Sequence, residues 1–500
     1  MVNRLYKFKW LILSFIFWGA VILKIPHQFL DLGGDSAQYI ILAESIVEGK
    51  GYKAINYPGD PFFHYYPPVF SLLLSPIIYF WGRNFYLMHI LVAFLGYLSL
   101  FFLYSIFKKY IYEKRAFLVT ILFAINWLFV LYCSKYILSE IPYLFFSVLT
   151  IFFVNKYSER SSFLDRTGWF VLLGLILCYF TRYIGISLFL STLIALLFSR
   201  QKLKKTVFIF SGFMFFFILW QVIIYILNSS FSVSHYKQFI LLDPYRPFLG
   251  NVLFNVKFII LRFIEGVNYY YKILGKLFFF IGKKSLLGDF LFLLSFIIVL
   301  FGILYTFLRD KGCLLCYYFL IYFLMIVLWP FKEGERFVLP ILPFAYFYFI
   351  TGIKKILSFL SLKVFWGCFY GIILFLIISN VASLFLINTA SKDLPPSFQH
   401  FISCNVWARR NLPSEGVIFS RKPTITYFYT NHKSMVYPFT INPDEIWREI
   451  KNNNIKYIIV DEFSRETYYY FLPFLYKYHN KLKLLYRIKN TGIFEIAGID

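Results

Sequence analysis

Charge is scarce in this 500-residue chain, and negative charge is scarcest. Asp, Glu, Lys and Arg together make 15% of it, while hydrophobic residues make 60%. Soluble domains carry about a quarter charged residues, so a soluble globular chain is excluded. Only 25 acidic residues face 50 basic ones. The resulting net charge of +25 could suit nucleic acid, but many of the cations cluster in short loops between apolar runs. That is the asymmetry of cytoplasmic loops in membrane chains, not of a nucleic-acid-binding face. Cysteine is sparse as well. Cys133, Cys178, Cys313, Cys316 and Cys368 lie in or beside apolar runs and Cys404 stands alone in a polar tail, so no disulfide framework is visible. Cys313 and Cys316 have the spacing of half a zinc site without a second ligand pair, which argues against structural zinc. Neither a Walker loop nor a dinucleotide-binding glycine fingerprint occurs. No small-residue cleavage site follows the first apolar run, which is expected to stay as a membrane anchor.

What is present is apolar length and aromatic rings, with 66 Phe and 41 Tyr. A crossing takes about 20 apolar residues. Such runs fall at 10–26, 85–107, 116–133, 140–155, 168–181, 183–199, 206–228, 288–308, 313–330, 337–353 and 364–389, about eleven spans. Basic residues then sort to one side: Lys108, Lys109, Lys114 and Arg115; Lys156, Arg160 and Arg166; Arg200, Lys202, Lys204 and Lys205; Arg309 and Lys311; Lys354, Lys355 and Lys363. The sorting requires 168–199 to be a hairpin of two short spans turning at Thr181-Arg182-Tyr183. It predicts a multi-pass protein of the inner (cytoplasmic) membrane, with the N-terminus cytoplasmic and the C-terminal region extracytoplasmic.

The expected fold is therefore all-α and polytopic, with a small soluble α/β domain at the C-terminus. Residues 1–390 form the membrane domain, with large external loops at 27–84 and 229–287. The first loop holds an amphipathic helical stretch from Ser36 to Glu48, with Asp35 and Gln38 spaced as a capping box. After Tyr65-Tyr66-Pro67-Pro68 comes a second apolar stretch to Phe80, read as an interfacial helix. Residues 391–500 change character after Pro395-Pro396. Helices are expected near Phe398–Arg410 and Asp444–Asn452, and strands at Tyr457–Val460, Leu484–Ile488 and Gly492–Ile496.

The polar residues that need explaining all fall on the predicted outer side. Asp35 follows Gly33-Gly34 just past the first span, and boundary carboxylates are costly enough to suggest function. Its plain alternative is a helix cap. Glu140 opens a span in Ser139-Glu140-Ile141-Pro142, where the helix dipole alone would favour it. Arg182 is a lone cation in about thirty apolar residues, either an interface anchor or a bidentate phosphate ligand. Arg336 and Lys332 lie in a short, densely charged loop and could hold phosphate or simply pair internally. His64, Tyr66 and Lys135 are candidate substrate contacts, although a lone His is more often neither ligand nor contact. Carboxylates that activate an acceptor and cations that hold a phosphate leaving group are the parts that glycosyl transfer from a lipid phosphate needs.

At these residues the chain resembles glycosyltransferase family 39, of GT-C fold, a group that includes protein O-mannosyltransferases and aminoarabinose transferases acting on lipid A. The resemblance covers roughly residues 1–355. It rests on Gly34-Asp35 through Gly51-Tyr52, on Tyr66-Pro67-Pro68, on Ser139 to Pro142, on Thr181 to Gly185, and on Glu335 to Pro343. It implies Asp35 as catalytic acid/base, Glu140 as a second acidic site residue, and Arg182 and Arg336 as donor-phosphate ligands. It implies a polyprenyl-phosphate-linked sugar as donor and a lipid, glycan or protein acceptor. No certain cofactor is implied; a divalent metal stays open. The chain departs from the eukaryotic mannosyltransferases in having Gly34-Asp35 where those carry two adjacent acids. The rival readings are a glycan polymerase or ligase using a lipid diphosphate donor, a transporter or flippase of lipid-linked sugars, and a membrane scaffold working through its tail.

Overall fold

The protein was analysed as a computed structural model, which describes residues 8–26, 33–199, 202–227, 256–279, 286–386 and 394–497. It divides into two compact units. One comprises Met1–His27 and Tyr86–Thr389, the other Gln28–Phe85 and Ala390–Asp500. The segment Gln28–Phe85 thus folds with the C-terminal region.

The first unit is helical. Its elements begin with α1 (Lys9–Ile22); α2 (Asp35–Val47) and α3 (Val69–Trp81) belong to the other unit. Then follow α4 (Phe85–Tyr110), α5 (Glu113–Ala124), α6 (Trp127–Ser134), α7 (Glu140–Glu159), α8 (Arg166–Thr181), α9 (Ile186–Leu196), α10 (Lys202–Leu227), α11 (Val256–Phe278), α12 (Leu286–Arg309), α13 (Leu314–Leu328), α14 (Leu342–Leu357) and α15 (Leu362–Leu386). Among the described residues, α4, α7, α10, α12 and α15 are long and apolar enough to cross a membrane, with α5 and α6 together a sixth candidate. Several other expected spans are apolar but shorter helices, α1, α8 and α13 among them. At 1.5 Å per residue, 14 to 16 residues fall short of a roughly 30 Å hydrocarbon core.

Three expectations change. The run 116–133 is not one straight span: α5 and α6 meet at 58°. Asn126 causes the break, because its side-chain oxygen caps α6 by accepting from the Leu128 and Phe129 amides at 3.1 and 3.3 Å. Its amide nitrogen donates to Asn380 at 2.9 Å and to Tyr346 at 3.1 Å, polar contacts of the kind that join helices in lipid. The segment 229–287 is not wholly a loop, since α11 occupies 23 residues of it and packs against α12 and α13. Residues 228–255 and 280–285 lie outside the described residues. The span expected at 337–353 opens with two 3-10 turns, Gly334–Phe337 and Leu339–Ile341, before α14. Pro340 and Pro343 cannot donate backbone hydrogen bonds, which favours turns ahead of the helix. The hairpin at 168–199 does form, through a 3-10 turn at Tyr183–Gly185. A Cβ on Gly185 would lie 2.7 Å from the Cys178 carbonyl carbon, so the tight turn needs glycine.

In the second unit, α16 (Pro396–Asn411), β1 (Val417–Ser420), α17 (Pro423–Thr430), β2 (Ser434–Met435), α18 (Pro443–Asn452), β3 (Ile455–Val460), α19 (Leu472–Lys477), β4 (Leu482–Ile488) and β5 (Thr491–Ile496) follow in order. The sheet runs β2-β1-β3-β5-β4. β1 is parallel to β2 and β3, and β5 is antiparallel to β3 and β4. Side chains alternate across it. Phe419 and Ile458 join one core with Ile446, Trp447 and Phe471. Ile418 and Ile459 join the other with Phe398, Phe401 and Ile493.

Candidate functional site

α2 is not amphipathic. Ser36 to Ala43 and Ser45 are all buried, so the helix is enclosed on every side. The capping box expected of Asp35 and Gln38 also does not form. Gly34 is the N-cap, in the left-handed region at φ +95°, and its carbonyl accepts from the Gln38 amide at 3.0 Å. Glycine adopts that backbone without a Cβ penalty. Asp35 is thereby the first helical residue. Its Oδ1 accepts a hydrogen bond from the Tyr66 hydroxyl at 2.6 Å.

Tyr66 is held by three groups. Its ring stacks on Tyr39 at 4.9 Å, its carbonyl accepts from the Tyr52 hydroxyl at 2.9 Å, and Phe63 meets it edge-on at 5.6 Å. His64 stacks on Tyr65 at 4.5 Å rather than joining a ligand cluster, and burial pushes its imidazole pKa down.

The C-terminal region packs on the same helix through α17. Thr424 donates to the buried Gln38 side-chain oxygen at 3.3 Å, and Lys422 Nζ donates to the Gly33 carbonyl at 3.2 Å. Arg83 forks onto Glu44 of α2 through both ends of its guanidinium, and also donates to the Phe428 carbonyl of α17 at 3.2 Å. Lys433 pairs with Asp60 at 2.8 Å, and the Ser434 amide donates to the Asn56 carbonyl at 2.8 Å. Apart from Gln38, none of these residues stands in a local motif, because most of them meet across hundreds of positions.

The helical unit gathers three other candidates. Glu140, in the first turn of α7, is 1% exposed. Its Oε1 accepts from Arg182 Nη1 at 2.5 Å and from Arg336 Nε. The two arginines remain 15% and 21% exposed, so the carboxylate is interior and the guanidiniums reach outward. Arg182 also donates to the Ser139 hydroxyl at 3.2 Å and lies 5.7 Å from the Phe337 ring. Glu333 stands 3.6 Å from Arg336. Chain connectivity explains the convergence. Arg182 ends α8 at the hairpin turn, Arg336 sits in the 3-10 turn before α14, and Glu140 opens α7.

Two further candidates are Lys332 and Lys135. Lys332 presents its carbonyl to the Tyr269 hydroxyl at 3.4 Å. Lys135 is the half-buried C-cap of α6, and desolvation lowers its pKa. Among the described residues no group of three or more His, Cys, Asp or Glu side chains could hold a metal ion.

No family model matches the chain, and no curated protein matches it. Solved structures do. The oligosaccharyltransferase AglB from Archaeoglobus fulgidus, in complex with an inhibitory peptide and a dolichol-phosphate, aligns at 13% identity and TM-score 0.59, covering 90% of this chain and 68% of its own. AglB in complex with zinc and sulfate aligns at 13% and 0.58, with 90% and 67% coverage. ArnT from Cupriavidus metallidurans, bound to undecaprenyl phosphate, aligns at 11% and 0.59 over 98% of each chain. The helical order, the sheet-bearing C-terminal region and this full-length alignment establish the architecture: a multi-pass membrane protein of GT-C fold with a small C-terminal α/β part.

Proposed function

We propose that this chain is a membrane glycosyltransferase that moves a sugar from a polyprenyl-phosphate donor to a lipid, glycan or protein acceptor on the outer face of the cytoplasmic membrane. The observation that carries this reading is the pair of arginines anchored on one buried carboxylate. Two guanidiniums held side by side suit a phosphate, because each can offer two parallel N–H donors to phosphate oxygens. The fold is that of proteins solved with dolichol-phosphate and undecaprenyl phosphate.

In this reaction an acceptor oxygen attacks the anomeric carbon. Its bond to the lipid phosphate breaks, and polyprenyl phosphate leaves. Asp35 takes the acceptor proton. Arg182 and Arg336 stabilise the charge arriving on the leaving phosphate. The double clamp supports a positioning role for Glu140, in place of the catalytic role expected for it: it fixes both guanidiniums before the donor arrives. Lys332, His64, Tyr66 and Lys135 stand as possible substrate contacts.

The reading is tested by donor titration. Glycosyl transfer is measured with the purified chain over a range of polyprenyl-phosphate-sugar concentrations. Arg182→Lys and Arg336→Lys should each raise the donor KM about tenfold, because a point charge cannot replace a planar fork. Unchanged donor dependence in both variants sinks the phosphate assignment. Sidedness is tested separately. A reporter active only outside the cytoplasm, fused after Asp500, should be active, and a signal solely from a cytoplasm-dependent reporter overturns the outer placement.

A further inference from the structure

A cavity of about 650 Å³ opens where α4, α12 and α14 end, far in sequence from the residues discussed above. Lys109, Arg115, Arg309, Lys354 and Lys355 line it. Two tyrosines organise the last four of these cations. Arg115 and Lys354 lie over Tyr112, at 5.2 and 6.0 Å from the ring centroid. Arg309 and Lys355 both lie 5.7 Å from Tyr305. Each ring therefore gathers two like charges. Among the described residues, Lys109 pairs with Glu159 at 2.7 Å, and Glu113 pairs with Lys9 at 2.8 Å and Lys108 at 3.6 Å; none of these pairs involves the four cations on the two rings. Asp310 also lines the cavity, but its Oδ1 accepts from the Gly312 amide at 3.0 Å. The inner wall is apolar, with Phe347 and Ile350 buried.

Four cations around one recess repel one another, and the single carboxylate of Asp310 offsets only part of that charge, so a further anion is attracted. Ring faces attract cations but carry no net charge. Solvated lysines at a membrane boundary are ordinary. Cations brought together in pairs around a cavity with an apolar wall are a more specific arrangement.

We propose that this cavity binds a phosphate group, most simply the head of an anionic membrane lipid, with the four cations on the phosphate and the apolar wall against the adjoining chain. Basic pockets between membrane helices suit lipid phosphates, and each surface cation contributes measurably to that attraction. The inference is independent of the transfer reaction and holds whether or not the chain moves a sugar.

The test uses the detergent-purified full chain, reconstituted in nanodiscs of phosphatidylcholine with or without phosphatidylglycerol. Bound lipid is read by native mass spectrometry. The wild type should retain phosphatidylglycerol in preference to phosphatidylcholine. The double variant Arg309→Gln/Lys355→Gln should retain it roughly tenfold less or worse. Thr351→Trp keeps every charge but fills the cavity, and should lose retention too. Lys363→Gln, an exposed charge outside the cavity, should behave as wild type. Displacement by inorganic phosphate identifies a free-phosphate ligand at the same cations, and its failure to displace identifies the lipid head. Equal retention by wild type and Thr351→Trp overturns the proposal, as does an equal loss in Lys363→Gln.

Discussion

Two carboxylates open two helices in this protein, and they differ in their partners. Glu140 is buried and carries two guanidiniums on a single oxygen. Asp35 follows a left-handed glycine and accepts from a tyrosine hydroxyl. A carboxylate gripped by two guanidiniums fixes their geometry. One that accepts from a tyrosine hydroxyl is oriented by it. A carboxylate that opens a helix can therefore hold a charge network or, in the proposed reaction, take up a proton. What decides is the chemistry brought to it from elsewhere in the chain.

The strongest way to break this contrast is Asp35→Asn. Asparagine keeps the shape and loses the basicity. Transfer should fall about 100-fold or more, since general-base catalysis is typically worth roughly 10²–10⁴. Protein abundance should hardly change. Near-normal turnover in this variant would remove Asp35 from the mechanism.

Glu140→Ala should show the opposite profile. It strands two partly buried guanidiniums, and breaking such a network costs about 3–5 kcal/mol. The arginines are partly exposed, so the lower end is expected. Denaturant unfolding of the purified protein should show this loss directly. Glu140→Gln should be milder and should raise the donor KM more than it lowers kcat. A Glu140→Gln variant that loses only kcat would return Glu140 to a catalytic role.

Much of the architecture was legible because apolar length and basic-loop asymmetry are strong local signals. The hairpin through Arg182 followed from charge sorting alone, and the structure has it at Tyr183–Gly185. α11 was missed because its apolar residues alternate with Lys, Arg and Tyr along 23 residues, so no continuous run announces it. The break at Asn126 was missed because a cap inside an apolar run looks like one more span residue. Arg182 and Arg336 were each visible as cations that needed a partner. That the partner is shared, and is Glu140, depends on the meeting of α7, α8 and the turn before α14, which no local pattern encodes. The amphipathic reading of Ser36–Glu48 failed for a related reason. Its polar face is covered by residues such as Thr424, nearly four hundred positions away.

Arg182→Lys combined with Arg336→Lys sharpens the contrast at intermediate size. Each single change should raise the donor KM about tenfold, and the double should cost less than the product, because groups gripping one phosphate act as a unit. Additive losses would mean that the arginines serve different partners. If Arg182 is instead an interface anchor, Arg182→Lys should be nearly silent, since lysine also snorkels.

The smallest expected effect concerns how Asp35 is held. Thr424 and Lys422 reach Gln38 and Gly33, on either side of the Gly34-Asp35 step. Both contacts place the start of α2. A single neutral hydrogen bond contributes about 0.5–1.5 kcal/mol, which corresponds to roughly two- to tenfold in rate if all of it serves alignment. Thr424→Val removes the donor at nearly constant volume and leaves the Gln38 oxygen with the longer contact to Asn56 at 3.5 Å. The expected result is a fall in kcat of a few-fold with donor KM unchanged, because the proposed phosphate ligands, Arg182 and Arg336, belong to the other unit. Thr424→Ser restores the hydroxyl and should restore the rate, although it packs less well. A loss of stability alone would lower the amount of active protein in both variants without this pattern of rescue. In an Asp35→Asn background the Thr424→Val effect should vanish, since there is no longer a base to align. Persistence of the full effect there would detach the C-terminal region from the placement of Asp35.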